Sequence, residues 1–534
     1  MPIDDVLVET IHHCGTALSL VGFLASADLE DVMLSDALEA LALLARVKPG
    51  GASTIPPWAI LAESPYSLEP LVRCLAVGLP PVQEKAIEVL SRLCRDQPIV
   101  LGDLLAGTCR CIYALVGRVI HSSNLEVKVG GTALLICAAK EHRQRRLDAL
   151  NESGFFVQLI FYLVHMLKQA TEINALRIDR VKNVRRYKRQ GGHVEEGDAF
   201  SMHDRASILG GTVAVWLLSI VSSYDGETKV AIMEAGAIEV LTEKLTNFSP
   251  DACRMELEDG GGTWVSALLL AILFQDRDVI RASATMRAIP SLANLLRSDE
   301  AIDRYFAAQT LASLVCNGSR GTLLAVGNSG AAGGLISLLG CVELNISTLG
   351  ALAEECSLVH NPIQVVLERL FRVDDIRIGA TARKSIPALV ELLKPMPDRP
   401  GAPPIALGLL TEMAKANNAN KAVMAEAGAL DALAKYISLG PQDAIEEAAT
   451  NLLRILYSSP DLWHSDSAMG TVNQLIAVLR LGSRGARYNA ARALQGLFES
   501  ENIKNDDVAR QAMKPLVEML SVGLEKSNKL QMAH

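Results

Sequence analysis

The chain has 534 residues, which is more than a single compact core usually organises, so it must divide into domains or repeat a small unit. Half of the residues are hydrophobic but only 4% are aromatic, and this composition favours helices packed closely on helices. Acidic residues outnumber basic ones by 60 to 51, a formal net charge of −9, which excludes a global basic field for holding nucleic acid or acidic lipid.

Residues 1–169 are predicted to form N-terminal armadillo-like repeats. The chain opens with MPIDDVLVETIHHC, which carries acids where a secretory signal carries Lys or Arg, so we predict no signal peptide. His12, His13 and Cys14 stand together, but no second Cys or His pair lies at zinc-finger spacing. We therefore predict no metal site there.

Residues 170–207 contain the strongest charge feature of the chain. The segment is polar, contains glycine and has no helical apolar period after about Val184, so we predict a long basic and polar loop inserted between repeats. Its seven cations have the charge to bind acidic tubulin tails, anionic phospholipid or RNA. A solvated loop kept soluble by its charge, and a nuclear import signal, are the alternatives. The predicted partner-binding residues are Arg177, Arg180, Lys182, Arg185, Arg186, Lys188 and Arg189.

The most apolar run of the chain follows, from Ile208 to Val221. It is about fourteen residues long and includes Gly210 and Gly211, so it is shorter than the roughly twenty residues that a membrane span needs. The glycine pair, like that in VGGTALL, predicts close helix packing. Trp216 and Trp264 lie in apolar helical patterns and are predicted to be core residues.

Residues 208–524 are predicted to form further armadillo repeats, followed by a polar tail over 525–534. Two distant segments almost coincide, MEAGAIEVLTEKL at Met233 to Leu245 and AEAGALDALAKYI at Ala425 to Ile437. Such self-similarity indicates tandem duplication. A run of five prolines in KPMPDRPGAPP, Lys394 to Pro404, predicts an extended connector within the array.

The spacing of the helix starts predicts the fold class. A Gly or Pro is expected to open many of these helices, because Gly tolerates positive φ and Pro fits a first helical turn. Intervals of 41, 44 and 43 residues separate successive opening positions, which is armadillo or HEAT spacing. We predict an all-α, armadillo/HEAT-like right-handed superhelical solenoid whose concave surface binds partners. The positions are Pro387, Gly428, Val472 and Pro515.

Motifs for catalysis are missing from the sequence. The glycine pairs lack the third glycine and preceding strand of a phosphate loop, and Ser329 in GNSG has no strand before it to form a nucleophile elbow. The ten cysteines are scattered, many within apolar helical patterns, and are expected to pack as small hydrophobes in a reducing compartment. We predict no enzyme activity, no cofactor and no metal.

Several sequence segments resemble those of one family, the plant cellulose synthase interactive proteins, which are long armadillo-repeat chains ending in a C2 domain. The resemblance extends over most of the chain, from about Leu38 to Leu520. The segments that carry it are SLEPLVRCLA (Ser67 to Ala76), VGGTALLICAAKEHR (Val129 to Arg143), IDRYFAAQTLASLVC (Ile302 to Cys316), RKSIPALVELLKPMPDRPGAP (Arg383 to Pro403) and LIAVLRLGSRGARYNAARAL (Leu475 to Leu494).

The resemblance implies a non-enzymatic scaffold that links cellulose synthase complexes to cortical microtubules and so regulates cellulose deposition and anisotropic growth. The implied partners are cellulose synthase subunits and tubulin, and the acidic net charge predicts no nucleic acid partner. The implied location is the cytoplasm, at cortical microtubules and the cytoplasmic face of the plasma membrane. Family members are several times longer, and no C2-like sequence precedes EKSNKLQMAH, so we expect a fragment or short form with only indirect membrane association.

Two other functions are typical of armadillo arrays. A substrate-binding component of a ubiquitin ligase would be accompanied by a U-box, and no U-box-like segment is recognisable in the sequence. A nuclear import adaptor would need regularly spaced Trp and Asn on successive inner helices. Asn294 and Asn473 occur, but no Trp ladder accompanies them.

Overall fold

The computed structural model describes most of the chain as helix. It shows 27 α-helices and one short 3₁₀-helix, with no strand in the part described, and it divides into two units, Met1–Ala288 and Ile289–His534. The all-α prediction is confirmed. The described residues are 16–26, 32–44, 65–94, 104–105, 109–141, 155–189, 202–223, 225–246, 263–339, 361–394, 402–415, 417–438, 443–464, 466–505 and 507–518.

The first unit contains twelve of the helices, and the division between the units falls within a thirteenth. In chain order they are α1 (Thr16–Ser26), α2 (Val32–Leu44), α3 (Pro65–Val77), α4 (Pro80–Leu93), α5 (Cys109–His121), α6 (Leu125–Glu141), α7 (Phe156–Arg189), α8 (Met202–Ser222), α9 (Gly226–Glu234), α10 (Ala237–Thr246), α11 (Thr263–Leu273), α12 (Arg277–Arg281) and α13 (Ser283–Leu295).

The second unit contains the remaining helices and the 3₁₀-helix Pro460–Leu462. They are α14 (Ala301–Asn317), α15 (Arg320–Asn328), α16 (Ala331–Leu339), α17 (Pro362–Phe371), α18 (Asp374–Arg377), α19 (Ala380–Glu391), α20 (Ala402–Ala414), α21 (Asn418–Glu426), α22 (Ala429–Ser438), α23 (Asp443–Leu456), α24 (Asp466–Leu481), α25 (Arg484–Leu497), α26 (Glu501–Lys504) and α27 (Asp507–Arg510).

Three glycines make the turn between the first and second helix of a repeat, as predicted. Gly236, Gly330 and Gly428 have φ of 87°, 83° and 83°, and each immediately precedes the second helix of its repeat. A residue with a Cβ is strained in this left-handed region, whereas glycine is not. The recurrence of one backbone geometry at one repeat position confirms that the chain repeats a small helical unit.

Pro80 and Pro362 open helices as predicted, but two of the prolines predicted to open repeat helices do not. Pro290 and Pro387 lie inside α13 and α19, so each of these helices begins about two turns before its proline. The fixed φ of proline is helical, and the missing N–H removes only one hydrogen bond of the helix. The connector over 394–404 is also shorter than predicted, because α20 begins at Ala402; residues 395–401 lie outside the described part.

The prediction of an inserted loop over 170–207 is wrong for more than half of that segment. The helix α7 continues without interruption to Arg189, and α8 begins at Met202. The physical reason is local, since Arg, Lys, Leu and Ala favour the helix and no Gly or Pro occurs between 170 and 190. The repeat array therefore resumes before residue 208, while residues 190–201 and the predicted tail at 525–534 lie outside the described residues.

The helix α8 is the apolar centre of the first unit. It packs against α6, α7 and α11. A methyl group on Gly211 would overlap the Cβ of Ala170 in α7, so the prediction of close helix packing at this glycine pair is confirmed. The stretch Asp204–Ser222 is longer than the predicted apolar run and could cross a membrane by length and composition, but 61% of its apolar window is buried among neighbouring helices, as in a core helix.

Within each unit, one helix of a repeat packs against its counterpart in the next repeat, and we call the helices of these rows third helices after their position in α9–α11, α15–α17 and α21–α23. In the first unit this row is α2, α4, α6, α8 and α11. In the second unit it is α14, α17, α20, α23 and α25. Packing of sequence neighbours in a continuous row is what a solenoid requires, because one repeat cannot bury its own apolar face.

Candidate interaction surface

Several third helices, α8, α20 and α23 among them, leave a strip of residues accessible, whereas α11 and α14 are buried over most of their length; the accessible strips of each row make up one face. In α23, for example, the accessible positions include Glu447, Asn451 and Arg454, at spacings of four and three residues. This spacing keeps them on one side of a helix. We call the two surfaces the unit 1 face and the unit 2 face.

The unit 1 face is apolar along its central helices. On α8 the accessible strip is Leu209, Val213, Trp216 and Ile220, and Leu209 has 42% of its surface exposed. The facing strip of α6 is also apolar. A contiguous row of accessible apolar side chains is a feature of interaction sites, so this strip is a candidate one. The strip of α6 consists of Val129, Ala133, Ile136 and Cys137.

Two tryptophans of neighbouring repeats meet on the unit 1 face. Trp216 of α8 and Trp264 of α11 pack edge to face, with ring centroids 5.4 Å apart and an interplanar angle of 81°. Both side chains are half-buried, so the prediction that they are core residues is wrong. Edge-to-face packing fixes the two rings in place, and a fixed tryptophan is a frequent anchor at protein interfaces.

The unit 2 face is polar, with both signs of charge. Side chains along each strip hydrogen-bond one another: Gln364 Nε2 donates to Glu368 Oε1 at 2.8 Å in α17, and Arg454 Nη2 donates to Asn451 Oδ1 at 2.7 Å in α23. These bonds hold long side chains in defined positions. The α6 and α8 part of the unit 1 face therefore differs in chemistry from the unit 2 face, whereas α4 of the same row presents polar side chains such as Glu84 and Arg92.

One aromatic side chain projects from the unit 2 face. Tyr488 of α25 is 60% exposed, whereas Tyr305, at the matching position of RYFAAQTL in α14, is 4% exposed. The buried Tyr305 accepts a hydrogen bond from Gln309 Nε2 at 2.9 Å. Burial raises the pKa of Tyr305, and this hydrogen bond opposes the shift. The same repeat position is therefore buried in one repeat and exposed in another.

The seven predicted partner-binding cations lie on the last turns of α7, from Arg177 to Arg189. Their side chains are outside the described part of the structure. The backbone nevertheless places all seven on one continuous helix, where thirteen residues span about 20 Å. We call this segment the basic helix end.

The shifted pKa values that the structure shows have a packing cause. Burial raises the pKa of Tyr457 and lowers the pKa of Lys421. Burial also lowers the pKa of Lys229, and the carboxylates of Asp276 and Asp225 oppose that shift. Within the described residues, no group of three His, Cys, Asp or Glu side chains could hold a metal ion; His12, His13 and Cys14 lie outside them.

The fold and its two faces define the chain as an all-α helical-repeat solenoid. Comparison with solved structures supports this class: an engineered protein of known crystal structure aligns with a TM-score of 0.54 at 19% identity, over 91% of this chain and 99% of its own. No protein-family model matches the sequence.

The curated relatives are cellulose synthase interactive proteins, as the sequence resemblance predicted. The chain is 50% identical over 489 residues to Protein CELLULOSE SYNTHASE INTERACTIVE 3 of Arabidopsis thaliana, and 40% identical over 513 residues to Protein CELLULOSE SYNTHASE INTERACTIVE 2 of the same plant. These alignments cover 92% and 96% of this chain, but 23% and 24% of the relatives. The chain is therefore homologous to about a quarter of each protein.

Sequence reasoning missed the apolar unit 1 face. The available signal was that α8 is apolar on all sides: Leu209, Val213 and Trp216 follow one helical strip while other apolar residues fill the remaining sides. A helix that is apolar all round is normally read as fully buried. Only the packing of α6, α7 and α11 around α8 shows which strip remains accessible.

Proposed function

We propose that the chain is a non-enzymatic scaffold that links cellulose synthase complexes to cortical microtubules and so regulates cellulose deposition and anisotropic growth. Its place of action is the cytoplasm, at cortical microtubules and the cytoplasmic face of the plasma membrane. Homology to two proteins named for interaction with cellulose synthase supports the first partner. The accessible apolar unit 1 face is the structural observation that carries the proposal.

The cellulose synthase subunit binds the unit 1 face in this proposal. Leu209, Val213 and Ile220 offer apolar area that becomes favourable when water is excluded, at about 25 cal/mol per Å² buried. The pair of Trp216 and Trp264 supplies a fixed aromatic anchor. Affinity then arises from many modest contacts along adjacent repeats.

Microtubules bind the basic helix end in this proposal. The chain as a whole carries a net charge of −9, so a local cluster of cations is needed to attract the acidic tails of tubulin. A helix holds those cations at a fixed density over about 20 Å. Attraction between exposed charges is screened by salt, with a Debye length of about 8 Å at physiological ionic strength.

The test of the synthase contact is a pull-down of the cytosolic part of a cellulose synthase subunit with the purified chain. Leu209→Glu places a charge on the unit 1 face, so we expect at least a tenfold loss of affinity, measured by biolayer interferometry. The matched control is Leu481→Glu, the same change at a leucine of α24 that is 81% exposed and outside both faces. The control should bind as the unaltered chain does.

Two results would overturn this assignment. Equal binding by the unaltered chain and Leu209→Glu would exclude the unit 1 face as the synthase contact. Absence of binding by the unaltered chain at micromolar concentration would reject the synthase partnership for this segment. Circular dichroism at 222 nm on both variants shows whether the helices remain intact.

A further inference from the structure

Two cysteines of successive repeats, on the neighbouring helices α4 and α6, lie next to each other. Cys94 stands at the C-terminal end of α4 and Cys137 lies within α6, and their sulfur atoms are 2.7 Å apart. The separation of 43 residues equals one repeat of the array. Because α4 and α6 are neighbours in the row of third helices, the repeat geometry itself brings the two thiols together.

We propose that Cys94 and Cys137 form an oxidative modification site that closes to a reversible disulfide on reaction with a low-molecular-weight disulfide such as glutathione disulfide. Half-buried Cys137 is the more accessible of the two and attacks first. Its thiolate displaces one glutathione thiolate and forms a mixed disulfide. The Cys94 thiolate then attacks the Cys137 sulfur and displaces the second glutathione, so two protein thiols are oxidised and one glutathione disulfide is reduced to two thiols.

The other buried cysteines provide a contrast within the same unit. Cys111 has no exposed surface, its Sγ donates to the Val72 carbonyl at 3.6 Å, and burial raises its pKa to about 12. Burial likewise raises the pKa of Cys74. A thiol that stays protonated is a poor nucleophile, so these two cysteines are inert small hydrophobes, as the sequence predicted. Cys94 and Cys137 depart from that prediction because of their proximity.

The disulfide would join α4 and α6 at the edge of the unit 1 face. Cys137 belongs to the accessible strip of α6, directly beside Ile136. A covalent link between successive repeats removes relative motion of the two helices and constrains the unfolded chain across a 43-residue separation. Because disulfides in reducing compartments are usually transient and regulatory, the site is expected to respond to oxidant rather than to be permanently closed.

The test uses the full chain, incubated with a molar excess of glutathione disulfide, alkylated and digested with trypsin without reduction. We expect a linked pair of peptides, Leu93–Arg95 joined to Val129–Lys140, that disappears after dithiothreitol. Cys316→Ser, which removes a half-buried cysteine of the second unit, is the matched control and should retain the linked pair. Recovery of both peptides only as separately alkylated or glutathionylated forms would overturn the proposal.

Single variants test the order of attack. Cys94→Ser should trap glutathione on Cys137, because the second thiol is missing. Cys137→Ser should leave buried Cys94 unmodified under the same conditions. Glutathione on Cys94 but not on Cys137 would contradict the mechanism, and circular dichroism on each variant confirms that the helices are retained.

Discussion

At the scale of the residue, one glycine geometry repeats along the chain and makes a sharp prediction. Gly428 has φ of 83°, and no atom beyond its two chain neighbours lies within 4 Å of the position that a Cβ would occupy. The cost of Gly428→Ala is therefore backbone strain alone, about 1–2 kcal/mol. We expect faster hydrogen exchange in α21 and α22, the helices that flank this turn, measured by mass spectrometry on the full chain.

The control for this change is Gly408→Ala, in the accessible strip of α20. A Cβ at Gly408 also meets no atom within 4 Å, but its backbone is helical. Alanine in a helix is favoured over glycine by roughly 1 kcal/mol, so exchange in α20 should slow down. If both variants changed stability in the same direction, backbone strain would not be the reason that glycine occupies residue 428.

Sequence could predict the glycine turns but not the exposure of each repeat position. The string RYxAAxxL occurs in α14 and in α25 with the same helical period. Tyr305 is nevertheless buried and Tyr488 exposed, because exposure depends on which helices lie beside each repeat. Local pattern carries no information about these neighbours, so the aromatic anchors of a solenoid surface require the structure.

At the scale of the element, the predicted microtubule contact depends on the basic helix end of α7. We expect the chain to pellet with taxol-stabilised microtubules at low salt and to be released as salt increases. Replacing four of the seven cations of the basic helix end by alanine should strongly reduce pelleting, because alanine keeps the helix and removes the charge. The variant changes Arg185, Arg186, Lys188 and Arg189.

A second variant distinguishes the effect of where the cations lie from the effect of the net charge of the chain. It also removes four positive charges, at exposed residues of α19, α24 and α25, so its net charge matches that of the first variant. It should pellet as the unaltered chain does. Equal loss of pelleting in both variants would show that net charge, and not the basic helix end, controls binding. The control changes Arg383, Lys384, Arg480 and Arg484.

Long apolar periodicity was enough to predict an all-α repeat fold, but it failed where polar residues continue a helix. The segment after residue 170 was predicted as a loop because its apolar period fades after about Val184, yet α7 continues to Arg189. Helix propensity of Arg and Lys, with no intervening glycine, explains the continuation. The prolines of α13 and α19 show the reverse case, in which a supposed boundary lies inside a helix.

At the scale of the whole chain, a linker needs two contacts that do not exclude each other. The unit 1 face lies on third helices, whereas the basic helix end is the C-terminal part of α7, which precedes the accessible apolar strip of α8 in sequence. Their chemistry also differs, since one is apolar and the other cationic. The chain spans about a quarter of its relatives' length, so the test concerns what this quarter does by itself.

The last prediction is that the chain bridges its two partners. The cytosolic part of a cellulose synthase subunit should pellet with microtubules only when the chain is added. Leu209→Glu should still pellet but leave the synthase in the supernatant, whereas the alanine variant of the basic helix end should bind synthase and leave it in the supernatant as well. Because the two variants fail for different reasons, mixing them should not restore bridging. Bridging by either variant alone would show that the two contacts are not the ones assigned to the unit 1 face and the basic helix end.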